Sequence, residues 1–298
     1  MHIKILTQRE GRIVEHTDVA ATVMPQVALV NAPSSLEGKC AAELENIAGT
    51  LSELGLSVYY VDRTGHDDFF VGDAFVYTNG RYIPSSYFGG LGESGYVVFG
   101  KDFALIGEEA FTDRTSAIRQ EKGALSDLDF AQDLYGTRQV YVLPTFLTGT
   151  FLRDVTFRHI DLFVGSVPEA NLLTVDKDYA KTNWNKKKTF EDALAEIKDR
   201  FGTISLMTDE SGFGNNYRIF NTPQGNQAVI VGESTALQPA LQQHGIPYIT
   251  TNPLPNLRGK LSGIHCVTNV VHDKKTLEMI NELAYVGSLK ITAYGYTR

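Results

Sequence analysis

One of the two cysteines in this 298-residue chain, Cys266, stands directly after His265 in the stretch from Leu261 to Val271. A thiol is the strongest nucleophile among neutral side chains near pH 7 once neighbouring positive charge lowers its pKa, and a cationic substrate is one source of that charge. In Arg158-His-Ile-Asp-Leu-Phe-Val164 an extended chain puts His159 and Asp161 on one face, with Ile160 and Leu162 on the other. A histidine moves protons near neutral pH, and a nearby carboxylate can orient the site or bind cationic groups. Asp67-Asp-Phe-Phe-Val-Gly-Asp73 brackets an apolar stretch with acids, and Glu93 in Gly92-Glu-Ser-Gly95 precedes Tyr96-Val-Val-Phe99. Carboxylates beside apolar runs are costly to bury without a cation or several donors, and a bound cation would account for them. Each feature alone also reads as structure: a buried thiol, a strand surface, a capped turn. In combination, a thiol, an imidazole and several acids suit attack on a planar cation.

Such residues need elements that bring them together. From Gln26 onward one phrase recurs: an amphipathic helix, a glycine, then a short β-rich run. Leu44, Ile47, Ala48, Leu51 and Leu54 make the first helical face, opened by Ser34-Ser35 and stopped at Gly55 before Ser57-Val-Tyr-Tyr-Val61. Gly136, Gly202, Gly245 and Gly287 mark four further endings. The helix before Gly202 is predicted to begin at Thr189 as N-cap, with Phe190, Leu194, Ile197 and Phe201 inward; the one before Gly287 begins at Asp273. Extra β-like runs between these strands give each unit more than one strand per helix. Repeated units of this kind stack around an axis, which would bring the ends of their strands to one place. A doubly wound βαβ sheet is the competing architecture, but no glycine-rich phosphate loop stands at a strand-to-helix turn, and Gly212-Phe-Gly214 lies in a polar loop. The strand Ile3 to Leu6 is expected to pair at an edge, and no linker divides the chain, so residues 1–298 are expected to form a single domain.

A 43% hydrophobic content is ample for a large core, and a net charge of −8 argues against nucleic acid and fits a cationic ligand. No secretory leader or membrane span is evident, so a cytoplasmic location is expected. Cys40 and Cys266 lack metal-ligand spacing, which argues against a disulfide framework or a zinc site. A papain-like arrangement is disfavoured because the cysteine comes late.

The ordered set resembles the guanidino-group-modifying enzymes, the pentein superfamily. Asp67 to Asp73 resembles the acidic segment of dimethylarginine dimethylaminohydrolases, and Glu93 to Gly107 is similar to segments of deiminases and amidinotransferases. His159-Ile-Asp161 resembles the His-x-Asp of arginine and agmatine deiminases, and Gly263 to Thr268 the end of agmatine deiminases. The resemblance implies an α/β fold, a five-fold pseudosymmetric propeller of ββαβ-type units. It implies Cys266 as nucleophile, His159 as general acid and base, and Asp161 and Glu93 as catalytic carboxylates, with Asp73 and Asp67 binding the guanidinium. Arg258, or less favourably Arg218, would meet a substrate carboxylate. The implied activity is hydrolysis of arginine or a related small guanidine through a covalent thiouronium, giving a ureido product and ammonia or an amine, with amidino transfer to an amine acceptor as the alternative. No metal or cofactor is implied. The implied partner is a small cationic guanidine rather than nucleic acid or membrane, with homo-oligomerisation left open. Gly92-Glu-Ser-Gly95 departs from the deiminase pattern in lacking its second glycine and its Asp.

Overall fold

Short apolar runs alternate with amphipathic helices along most of the chain, and the computed structural model turns that alternation into a repeated sheet. It describes residues 3–10, 12–18, 27–36, 39–65, 69–111, 127–137, 139–144, 146–147, 156–157, 159–177, 187–208, 215–222, 227–231, 237–259 and 263–295. The first elements are β1 (Ile3–Arg9), β2 (Arg12–Asp18), β3 (Val27–Asn31), α1 (Ala41–Glu53), β4 (Ser57–Arg63), β5 (Phe75–Thr78), β6 (Arg81–Pro84) and α2 (Ser85–Phe88). Then come β7 (Val97–Phe99), β8 (Ala104–Gly107), α3 (Asp127–Tyr135), β9 (Val140–Leu143), β10 (Phe146–Leu147), β11 (Thr156–Phe157), β12 (Val164–Val167), β13 (Leu172–Asp176), α4 (Lys187–Phe201) and β14 (Ile204–Thr208). The last are β15 (Arg218–Asn221), β16 (Gln227–Val231), α5 (Leu237–Gln243), β17 (Tyr248–Thr250), α6 (Pro255–Gly259), α7 (Ile264–Val267), β18 (Thr268–Val271), α8 (Lys274–Tyr285) and β19 (Leu289–Ala293). Among the described residues no helix is long and apolar enough to cross a membrane.

Five sheets share one pattern: a first strand antiparallel to a second, which is parallel to a third. The triplets are β7-β8-β9, β12-β13-β14, β15-β16-β17, β18-β3-β4 and β5-β6-β1. In four of them a helix crosses from the second strand to the third, because parallel neighbours cannot be joined by a tight turn. The glycine ending each crossover helix takes up a left-handed conformation, as the punctuation predicted, with φ of 79° at Gly55 and 64° at Gly202.

The fifth sheet corrects the sequence reading. Its third strand is β1, from the chain's start, so Ile3 to Leu6 lie inside a sheet while β2 takes the edge. The helix that covers it is α8, whose Leu277, Ile280 and Tyr285 pack against Ile3, Ile5 and Tyr82. The strand after Gly287, β19, is added antiparallel to β4. Two smaller corrections concern helix starts. Pro33–Ser35 form a separate single turn and α1 begins at Ala41, while Thr189 lies inside α4 rather than capping it. Asp273 does cap α8, its Oδ1 accepting from the Thr276 N–H at 2.7 Å. Gly212 to Gly214 lie outside the described residues.

Where α8 ends, Val286 holds φ 52° and ψ 37° and is 91% exposed, a conformation that crowds a β-branched side chain while giving it nothing to pack on. Val286→Asn is expected to stabilise the protein by about 1 kcal/mol and raise Tm by about 2–4 °C in scanning calorimetry; an unchanged or lower Tm would show the position to be unstrained.

Candidate active site

The residues singled out by sequence stand just before the first strands of the five sheets. Asp73 precedes β5, Glu93 precedes β7, His159 and Asp161 precede β12, and Cys266 precedes β18. On the fifth sheet Asn216 precedes β15, and it was not singled out. The side chains these turns carry are linked by the contacts that follow.

Asp73 ends a single helical turn, Val71–Asp73, that two buried asparagines of the β18-β3-β4-β19 sheet hold in place. Asn31 donates to the Phe69 carbonyl at 2.6 Å and accepts from the Val71 N–H at 2.9 Å. Asn269 donates to the Val71 and Phe75 carbonyls, each at 3.0 Å. A Cβ on Gly72 would stand 2.3 Å from the His265 carbonyl oxygen and 2.5 Å from that of Cys266. Only glycine lets the Asp73 turn lie directly on the cysteine segment.

Cys266 sits in α7, a single turn that runs straight into β18, and is 4% exposed. Its Sγ lies 3.7 Å from Asp161 Oδ2 and 3.4 Å from Asn216 Nδ2. Asn216 ties the segment together: its Oδ1 accepts from the His265 N–H at 3.0 Å and its Nδ2 donates to Asp161 Oδ2 at 2.8 Å. His265 Nδ1 meets the same Asp161 oxygen at 2.8 Å.

The His159 to Leu162 segment is not the regular strand expected. His159 is extended, but Ile160–Leu162 form a helical turn, with the Asp161 N–H donating to the Gly95 carbonyl at 3.2 Å. The expected sorting survives: Ile160 and Leu162 enter the core while His159 and Asp161 face the site. The His159 ring lies against Gly95, where a Cβ would be 2.3 Å from Nδ1, and edge-on to Tyr96 with centroids 4.6 Å apart. Its Nδ1 is 4.0 Å from Asp73 Oδ2 and its Nε2 is 3.7 Å from Glu93 Oε2. The imidazole thus stands between two carboxylates.

Burial would strip His159 of its proton, but Asp73, Glu93 and Asp161 outweigh that and hold its pKa up at about 9. Burial, with help from the Asp161 and Glu93 charges against the opposing pull of His159, raises Asp73 to about 7. Burial also pushes the Cys266 thiol up, reinforced by Asp161 and Asp73, so the thiol keeps its proton. His265 is held low by burial and by the Arg218 charge, which leaves a neutral ring whose Nδ1–H donates to Asp161.

Five of the seven sequence candidates, Cys266, His159, Asp161, Glu93 and Asp73, are therefore linked in one cluster. Asp67 lies outside the described residues. Arg258 belongs to α6, with its side chain outside the described residues. The arginine at the cluster is Arg218, which donates to the His265 carbonyl at 3.0 Å and to Ser94 Oγ at 3.2 Å. Burial lowers it to about 10, so it stays charged at neutral pH. Sequence reasoning missed Asn216 and Asn269, whose roles rest on contacts between distant strands. For His265 a signal was present, its place beside Cys266.

No protein-family model and no curated protein matches the chain. Solved structures do. The N-terminal domain of ArgZ, an arginine dihydrolase from the ornithine-ammonia cycle in cyanobacteria, bound to product, is similar with TM-score 0.54 at 16% identity, over 82% of this chain and 97% of that one. The same domain covalently bound to a reaction intermediate gives TM-score 0.53 at 16% identity, again over 82% and 97%. A dimethylarginine dimethylaminohydrolase adduct gives TM-score 0.52 at 15% identity, over 83% of this chain and 100% of that one. The chain spans 39% of full-length ArgZ and 56% of a C. jejuni agmatine deiminase. At these identities the likeness is one of architecture: the chain shares the mixed α/β fold of these structures, which are members of the pentein superfamily.

Proposed function

We propose that this protein is a cysteine-dependent hydrolase of a small guanidinium compound, arginine or a close relative, and that its five sheets are the blades of one catalytic propeller. The observation that carries the reading is the gathering of Cys266, His159 and three carboxylates at the starts of the sheets' first strands. Asp73 and Asp161, with Glu93 behind His159, form an acidic seat for a planar cation. The bound cation supplies positive charge beside Cys266, so the thiol gives up its proton as the guanidinium binds.

The thiolate then adds to the guanidinium carbon. Protonated His159 delivers its proton to the departing nitrogen, the carbon–nitrogen bond breaks, and a thiouronium remains on Sγ. Neutral His159 takes one proton from water, the oxygen bonds to the carbon, and the carbon–sulfur bond breaks with its electron pair returning to Sγ, which takes up the second proton of that water and is restored as the thiol. A ureido product leaves. Hydrolysis is preferred to amidino transfer because the similar folds include an arginine dihydrolase and a dimethylaminohydrolase. Among the described residues Arg218 is a charged group at the cluster that can face a substrate carboxylate; the Arg258 side chain lies outside the described residues.

Incubation with arginine, agmatine and methylarginines, with and without glycine as acceptor, tests the class of reaction by mass spectrometry. A ureido product independent of glycine is expected; a product that forms only with glycine would replace hydrolysis by transfer. Cys266→Ser is expected to keep the fold and lower kcat at least about a thousandfold, and turnover at the wild-type rate would sink the mechanism.

The pH dependence follows from the two shifted groups. Asp73 must be ionised to hold the cation and His159 must be protonated to release the amine. The kcat/KM profile is therefore expected to rise through about pH 7 and to fall beyond about pH 9. Asp73→Asn should move the falling limb to lower pH, because Asp73 is the strongest of the charges that raise His159. A falling limb that stays in place would contradict the pairing.

A further inference from the structure

His265, next to the nucleophile, is held by both its backbone and its ring. Its N–H donates to Asn216 Oδ1 at 3.0 Å, its carbonyl accepts from Arg218 at 3.0 Å, and its Nδ1 meets Asp161 Oδ2 at 2.8 Å. Gly72 packs against the same carbonyl, where a Cβ would stand 2.3 Å from the oxygen. In the reaction proposed above this ring takes no step.

The ring acts on Asp161. Oδ2 of that carboxylate takes three contacts: His265 Nδ1 and Asn216 Nδ2, each at 2.8 Å, and Cys266 Sγ at 3.7 Å. Oδ1 is buried and has no hydrogen-bond partner among the described residues. An ionised carboxylate only accepts, so Nδ1 carries the proton in this contact. Two donors on one oxygen fix the rotation of the carboxylate, which keeps Oδ2 on the thiol and leaves Oδ1 as the acceptor for a substrate N–H.

We propose that His265 is a positioning residue that turns Asp161 toward Cys266 and the bound guanidinium, an inference that rests on the guanidine-hydrolase reading. The charge of the ring matters as much as its place. An imidazolium here would cancel the Asp161 charge and repel the substrate cation, whereas a neutral ring orients the carboxylate and leaves its full charge to the site. The surroundings select the neutral ring: burial, the Arg218 guanidinium and the His159 charge oppose a second proton on His265, against the pull of Asp161. Asn216, the other donor to Oδ2, is neutral as well.

A misaligned Asp161 would spoil attack more than capture, because Asp73 still holds the cation, so the effect belongs in kcat. His265→Leu is expected to lower kcat about a hundredfold, with KM within about threefold of the wild type. His265→Asn sets an amide N–H near the place of Nδ1–H and should stay within about tenfold of the wild-type kcat. The longer amide of His265→Gln reaches past that place; this variant should match His265→Leu and replaces it should His265→Leu fail to fold. Nitrogen-15 NMR of the histidine rings reads the tautomer in the wild-type protein without turnover. His265 should stay neutral, with its proton on Nδ1, between about pH 6 and pH 8. A cationic ring or a proton on Nε2 in that range would overturn the proposal. So would equal kcat losses in His265→Asn and His265→Leu, a loss carried by KM alone, or a folded His265→Leu with wild-type kcat. A wild-type protein that shows the neutral Nδ1–H ring yet turns over no guanidine would instead overturn the functional reading, and the catalytic role of His265 with it.

Discussion

Like charge gathered away from water sets the terms for this site. Asp73, Glu93 and Asp161 converge on one imidazole and one thiol, and Asp161 is 2% exposed. Two unit charges 4 Å apart interact by about 4 kcal/mol at an effective dielectric of 20, so each uncompensated neighbour weighs on the others. The molecule answers in part with His159, kept protonated, and with Arg218, buried but still charged. Asp73 remains half-neutral near pH 7 and the thiol remains protonated, the signs of a site short of positive charge. In the function proposed here, a bound guanidinium would relieve both at once, which would link recognition of the cation to activation of Cys266.

Keeping those groups close requires backbone that other sequences would not tolerate. Gly72 and Gly95 allow the Asp73 turn to lie on the cysteine segment and the His159 ring to lie on the Glu93 loop. Asn31, Asn216 and Asn269 then satisfy the buried peptide groups of these turns and fix their spacing. All of these residues lie at or near the ends of sheet strands, so the rigidity of the sheets passes directly to the candidate site.

Much of this was legible in the sequence. Glycine after an amphipathic helix is a local signal, and it located the junctions that follow α1, α3, α4, α5 and α8, because the left-handed turn there excludes most other residues. The chemical residues were legible by type and order, since a thiol, a His-x-Asp pair and flanking acids are rare together. The place of β1 was not: an N-terminal strand inserted beside β6 and covered by the C-terminal helix α8 is a contact across the whole chain, and no local pattern encodes it. The same holds for Asn216, an ordinary polar residue in sequence and the bridge between Asp161 and Cys266 in space. His159 to Leu162 lie between: the alternation of polar and apolar residues was read correctly, but a backbone bond to Gly95 turned the expected strand into a helical turn.

The most direct test of the central claim is calorimetric titration of the wild-type protein with guanidinium and with urea at pH 7, in buffers of different ionisation enthalpy. A site that lacks one cation should bind guanidinium with net proton release, as Asp73 and the Cys266 thiol ionise, and should show no comparable binding of neutral urea. Binding of guanidinium without proton release, or equal binding of urea, would contradict the account.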